Sequence, residues 1–274
     1  MKNFYWLIQG DCLEVLPTLP NDFVDLIVID PPYGQTDFKW DKFEEWEILF
    51  TEFKRILKDN GQMFVFGKLP MLYEVYRYAI DSDFIFRYEI IWVKNHPAPY
   101  ATSKKPLQAH ENILCFAKKK CKISSLTFNL KDIMINTKPS PRWGSQKKNL
   151  NRLRTGWRKD IDVKEQRKRI KSFPRTVINA SIVHPFHLPD EYRGHPTQKP
   201  ERIIRWIVQS SSNIGEIVLD SFLGSGTTMK VCQDLSRSCI GIEIVPEYCE
   251  ITKKRCFGRT FLDREVEYKF EVFK

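Results

Sequence analysis

Apolar and polar positions along the chain follow two rhythms. Short apolar runs cover 4–8, 24–29, 63–66, 84–93, 111–117, 216–220 and 239–243, each of strand length. Between them apolar residues recur at helical spacing: Trp46, Leu49, Phe50, Phe53, Ile56 and Leu57 on one segment, others over 72–80, and Ile203, Ile204, Ile207 and Val208 further on. Asn60-Gly61 is expected to close the first of these helices, and Pro200 to sit in the first turn of the helix over 201–211. Helical turns are also expected from Leu13, over 227–235 and over 246–256. The run Val24 to Ile29 is almost continuously apolar, as a parallel strand covered on both faces requires. Strands alternating with helices predict an α/β fold built on a doubly wound, mostly parallel sheet. Segments 84–93 and 111–117 are read as its antiparallel edge. The weakly alternating tail 263–274 fits an edge strand or a packed terminal arm.

The rhythm is lost between 118 and 192. Composition matters most there: the 274-residue chain carries a formal charge of +10, and from Arg142 to Lys171 twelve Lys/Arg face three Asp/Glu, with Trp143 and Trp157 among them. A solvated basic surface is the plain reading. Concentration of the excess charge beside aromatic and amide side chains favours a nucleic-acid contact made by Lys147, Lys148, Arg152, Arg154, Arg158, Lys159, Arg167, Lys168 and Arg169. The expected organisation is therefore 1–117 with 193–274 as one domain and 118–192 as an inserted recognition region. A hydrophobic fraction of 42% and seven Trp indicate a folded globular protein. The seven cysteines form no CxxC pair and no zinc-ligand cluster, so free thiols and no metal are expected. Neither a basic-then-apolar leader after Met1 nor an apolar run of transmembrane length is present, which points to a cytoplasmic location without a membrane partner.

Asp30-Pro31-Pro32-Tyr33 follows directly on the apolar run at Ile29. An amino group on a nucleobase is a poor nucleophile because its lone pair is delocalised into the ring. The Asp30 carboxylate and the Pro31 carbonyl are two acceptors that would face its hydrogens and localise that pair. Pro31 and Pro32 restrict the turn, and Tyr33 offers a flat face for stacking. The purely structural alternative is a tight turn with a surface Asp and a core-edge Tyr. Segment 34–41, with Phe38 and Trp40, reads as a lid or as a locally packed loop. Asp11, at the end of the first strand, suits either a ligand amino group or the cap of the following helix.

A second site lies far downstream. Strand 216–220 runs into Asp220-Ser221-Phe222-Leu223-Gly224-Ser225-Gly226, a helix follows, and Glu243 ends the next strand. Glycines that admit a close backbone approach and an acid placed for two ribose hydroxyls define a nucleotide-cofactor half-site. No Lys follows Gly226, so a triphosphate loop is excluded, whereas nicotinamide and S-adenosylmethionine cofactors both fit. The first site decides: Pro-Pro-Tyr has no place in hydride transfer, while an activated amine completes a methyl transfer.

With these pieces in order, the sequence resembles the S-adenosylmethionine-dependent DNA amino-methyltransferases that act on adenine N6 or cytosine N4. It is similar to the permuted, beta-type branch, in which the Asp-Pro-Pro-Tyr block precedes the cofactor motif. The matches are Gly10-Asp11, Asp30 to Tyr33, Trp92-Val93-Lys94, 111–116, 195–200, Asp220 to Gly226 and Glu243. The resemblance implies a Rossmann-like sheet, base flipping out of duplex DNA and direct in-line transfer without a cysteine nucleophile. It implies that Asp11 contacts the cofactor adenine, Glu243 the ribose, and Asp220 with Phe222, Gly224, Ser225 and Gly226 the methionine end, with Thr197 and Lys199 contributing. Ser221 stands where the family usually has Pro. Asp at position 30 accompanies adenine N6 more often than cytosine N4; an RNA-directed enzyme and a binding-only module are the further alternatives. As partners the resemblance admits a homodimer and a companion restriction endonuclease.

Overall fold

The computed structural model describes residues 2–34, 41–96, 106–136, 171–257 and 266–273. Two compact units emerge, 130–175 and the remainder of the chain. Within the smaller unit, a short helix α4 (Leu130–Ile133) precedes a two-stranded antiparallel pairing of β6 (Ile135–Asn136) with β7 (Lys171–Ser172). The nine basic residues singled out above, Lys147 to Arg169, lie outside the described residues.

The larger unit alternates strand and helix: β1 (Phe4–Gln9), α1 (Cys12–Val15), β2 (Val24–Ile29), α2 (Trp46–Ile56), β3 (Leu57–Gly67), α3 (Met71–Asp81), β4 (Phe84–Lys94) and β5 (His110–Lys118). After the smaller unit come β8 (Val177–Ala180), α5 (Glu201–Ser211), β9 (Ile217–Asp220), α6 (Thr227–Asp234), β10 (Ser238–Glu243), α7 (Pro246–Cys256) and β11 (Glu267–Val272). The strands form one sheet in the order β11-β1-β10-β9-β2-β3-β5-β4-β8. Every pairing in it is parallel except those of β5, which runs antiparallel to β3 on one side and β4 on the other. The tail is an edge strand, β11, alongside β1.

Period-two alternation sends successive residues of a strand to opposite faces. Ile27 and Ile29 of β2 therefore join Phe50 and Phe53 of α2 and Val75 of α3 on one face, while Leu26 and Val28 join Ile203 and Ile207 of α5 and Met229 of α6 on the other. All six residues of β2 are buried, which accounts for its almost continuous apolar pattern, with Asp25 paired to Lys58.

Asn60-Gly61 does not end α2. The helix stops at Ile56, and Leu57 already pairs with Val24 as the first residue of β3. The register then jumps so that Leu26 faces Gln62, leaving 58–61 as a bulge. Gly61 is needed because a Cβ there would lie 2.5 Å from Leu57 Cδ1 and 2.9 Å from the Asp25 carbonyl. Lys58 pairs with Asp25 at 2.7 Å, and Asp25 also accepts from Ile217 N at 2.9 Å, so the bulge ties β2, β3 and β9 together.

Six of the seven cysteines are buried and all are free thiols. No helix among the described residues is long and apolar enough to cross a membrane.

Candidate active site

Parallel β1, β10, β9 and β2 stand side by side, with Gln9 level with Glu243 and Asp220 level with Gly241. Their carboxyl ends therefore bring Asp11, Glu243, Asp220 and Asp30 to one edge, the usual position of ligand sites in open α/β sheets. A cleft of about 1600 Å³ opens there. It is lined by Asp30, Pro31, Pro32 and Tyr33 and by Asp11, Thr197, Lys199, Asp220, Phe222, Gly224, Ser225 and Glu243. Gly226 is not part of the lining; it caps the start of α6.

At the β2 end, Asp30 Oδ1 accepts the Tyr33 hydroxyl at 2.8 Å and Oδ2 accepts the Lys199 ammonium. Asp41 holds the turn by accepting from Tyr33 N at 2.7 Å and Gly34 N at 3.1 Å. Lys199, expected among the cofactor contacts, thus has its ammonium on the Asp30 carboxylate. Glu111, inside the matched stretch 111–116 but given no role by the sequence, completes this group. Glu111, at the start of β5, lies 2.6 Å from Lys94 Nζ, 3.3 Å from Lys68 Nζ and 3.7 Å from Lys199 Nζ. The available signal was the placing of Lys94 at the end of one strand and Glu111 at the start of the next, in a mostly apolar pair.

These charges divide the two acids. Burial pushes the Glu111 carboxyl up, but Lys199, Lys94 and Lys68 outweigh it and hold it at about 2. Burial raises Asp30, and the Glu111 charge adds to the rise against the opposing pull of Lys199. Desolvation works against the Lys199 charge, yet Asp30 and Glu111 overcome it and keep the ammonium protonated above its ordinary range. Tyr33 is raised by burial and by the same two carboxylates, so its hydroxyl remains a donor.

On the other side, Asp220 accepts from Phe222 N at 3.0 Å and Thr228 Oγ1 at 2.6 Å, and burial pushes it up to about 7. Gly224 and Gly226 have φ of +57° and +77°, a region that only glycine enters cheaply. A Cβ on Gly226 would also stand 2.8 Å from Thr252 Oγ1. Glu243 accepts from Gly224 N at 2.6 Å and Val245 N at 2.8 Å, and burial raises it. Asp11 accepts from Leu13 N at 2.9 Å, capping α1 while its side chain still lines the cleft. The Ser221 hydroxyl is buried at the cleft without a hydrogen-bond partner. A large cleft with acids at the strand ends, a turn whose glycine admits close backbone approach and an unused hydroxyl fits a polar, partly cationic nucleoside such as S-adenosylmethionine.

His195 backs the glycine turn. A Cβ on Gly224 would meet its Nε2 at 3.2 Å, its ring lies 4.2 Å from that of Tyr248, and its Nδ1 accepts from Thr197 N at 3.2 Å.

Residues 24–254 match the family model described as DNA methylase, of the N6/N4 methyltransferase type. The chain is 30% identical over 275 residues to the type II methyltransferase M.HinfI of Haemophilus influenzae, covering 91% of this chain and 67% of that protein. The structure superposes on the complex of M1.HpyAVI with S-adenosylmethionine with a TM-score of 0.61 and 26% identity, over 92% of this chain and 99% of that one. It superposes on the cytosine-N4-specific PvuII DNA methyltransferase with a TM-score of 0.63, over 97% and 91% of the two chains; at 18% identity this is a likeness of fold. The fold and cleft are those of an S-adenosylmethionine-dependent methyltransferase. The chain belongs to the N6/N4 family of DNA methyltransferases.

One pH effect follows. Burial, aided by Lys199, lowers His195 to about 4. The unfolded chain therefore takes up this proton before the folded one, so stability present above about pH 6.5 is lost as the pH falls toward 4. Urea titrations of His195→Gln should show a flatter dependence across that window, by at most about 3 kcal/mol. A slope equal to the unmodified protein's would show that the ring titrates normally.

Proposed function

We propose that the chain methylates the exocyclic N6 of adenine in a specific duplex DNA sequence, with the target nucleotide turned out of the helix. The supporting observation is the opening of the Asp30 turn and the Asp220–Glu243 half-site into one cleft. The reading of position 30 rests on the family resemblance, in which Asp there accompanies adenine. Base flipping follows from geometry, since the amino nitrogen is otherwise enclosed in its base pair.

In this reading the Asp30 carboxylate and the Pro31 carbonyl accept the two amine hydrogens and localise the nitrogen lone pair. Pro32 stiffens the turn and Tyr33 stacks on the extruded base. S-adenosylmethionine supplies an electrophilic methyl carried on a sulfonium. Glu243, already anchored by two backbone N–H groups, has lone pairs left for both ribose hydroxyls. Asp11 faces the cofactor adenine; Asp220 and the turn from Phe222 to Gly226 position the methionine end, with Thr197 at its rim. The region 118–192 reads DNA, with Lys147, Lys148, Arg152, Arg154, Arg158, Lys159, Arg167, Lys168 and Arg169 on phosphates and base edges. A restriction endonuclease of matching specificity is the companion this reading implies.

Incubation with unmethylated duplex DNA and labelled S-adenosylmethionine, followed by nucleoside mass spectrometry, should place label on N6-methyladenine. Label on N4-methylcytosine would overturn the choice of base while keeping the family. Asp30→Ala should abolish transfer and leave cofactor binding near the unmodified level, and sustained turnover would remove Asp30 from the amine contact. Calorimetry on Glu243→Ala should show affinity for S-adenosylmethionine weakened about tenfold or more, the cost of about one lost charge-assisted hydrogen bond; unchanged affinity would exclude the ribose contact. Replacing Arg152, Arg154 and Arg158 together by Gln should flatten the slope of log affinity against log salt by about 3. An unaltered slope would take these three off the phosphates.

A further inference from the structure

The methyl-acceptor side of the cleft holds more charge than amine binding alone requires. Asp30 has both oxygens engaged, Oδ1 by the Tyr33 hydroxyl at 2.8 Å and Oδ2 by the Lys199 ammonium. An incoming amine needs the same carboxylate, so one donor has to give way. The Tyr33 hydroxyl also reaches Glu111 Oε2 at 3.4 Å, but its ring is tethered three residues away through two prolines and its backbone N–H is fixed by Asp41, so it has little room to leave Asp30. Lys199 arrives from the segment before α5, and a second acceptor stands beside it: Glu111 Oε2 is 3.7 Å from the same Nζ. Moving to Glu111 requires only a rotation of the side chain's end. The Lys199 side chain is only 8% exposed, so its ammonium gains more from a second carboxylate than from water.

We propose that Lys199 is a placeholder for the target amine, seated on Asp30 Oδ2 until the base arrives and then handed to Glu111 Oε2. Lys199 and Glu111 are positioning residues in this scheme, and the scheme rests on Asp30 as the amine acceptor. The arrangement meets a definite physical need. A buried carboxylate without a partner takes up a proton and ceases to be a double acceptor. An ammonium keeps Asp30 ionised and oriented, and a neutral amine can replace it without changing the charge of the cluster. Lys94 and Lys68 keep Glu111 anionic, so the second seat is ready before Lys199 reaches it.

The groups facing Asp30 and Lys199 are Tyr33 from the turn after β2, Lys68 after β3, Lys94 at the end of β4, Glu111 on β5, His195 before α5 and Asp220 at the end of β9. Lys199 lowers the Asp30 pKa and Glu111 raises it, so neutralising them must act in opposite directions. The test is the pH profile of single-turnover methyl transfer. In Lys199→Met the acid limb should move up by about one pH unit, and in Glu111→Gln down by about as much. Glu111→Gln should also raise KM for DNA, because Lys199 then has no second seat. Glu111→Asp should recover part of that loss. Affinity for S-adenosylmethionine serves as the check on folding.

Limbs that move the same way in both variants, or an unmoved limb in Lys199→Met, overturn the proposal. Should Glu111→Gln fail to fold, the Lys199→Met profile decides alone. Activity surviving in Asp30→Ala would overturn the amine contact and the placeholder together. An unmoved limb in Lys199→Met with an inactive Asp30→Ala would refute only the placeholder.

Discussion

A carboxylate followed by two prolines has no neighbouring N–H to accept. That constraint separates Asp30 from the other three acids gathered at the carboxyl ends of β1, β9 and β10. Asp11 accepts from Leu13 N, Asp220 from Phe222 N, and Glu243 from Gly224 N and Val245 N. Each is anchored by the turn that follows its strand. Pro31 and Pro32 cannot donate, and the N–H groups of Tyr33 and Gly34 go to Asp41. Asp30 must therefore find its partners among side chains, and side chains can be exchanged for a substrate.

The same economy of donors shapes the side of the cleft around Gly224. The turn after β9 needs left-handed backbone at Gly224 and Gly226, and it is held from behind. Thr252 Oγ1 donates to the Gly224 carbonyl at 3.1 Å, and Arg255 Nη1 donates to the Ser225 carbonyl and to Thr227 Oγ1, both at 3.0 Å. Arg255 is itself fixed by Glu201 at 2.7 Å, so α7 and α5 together brace the loop. A glycine-containing turn thus gains rigidity from residues on α5 and α7 behind it.

Much of this was legible in the sequence because it depends on local pattern. The almost continuous apolar run of β2 showed a strand with two covered faces, and a helix from Pro246 to Cys256 was expected and is found. The glycine turn and the acid at Glu243 showed themselves through fixed spacing. The end of α2 was read too far along, since Leu57 continues the helical face but is captured by Val24 in the sheet. The role of Glu111 was missed for a different reason. Its partners Lys68, Lys94 and Lys199 come from three separate segments, and no periodicity records an ion cluster that only the completed sheet assembles.

The sheet order also bears on the birth of the molecule. β1 pairs with β10 and β11 alone, and β2 has β9 as its second neighbour. Strands made early must wait for strands made late, and pairings of such large sequence separation form slowly. During synthesis the Asp30 turn therefore exists long before the Asp220 and Glu243 ends stand beside it. A partly made chain has the Asp30 turn without Lys199, Asp220 or Glu243, and the cleft comes into being only in the final stage of folding.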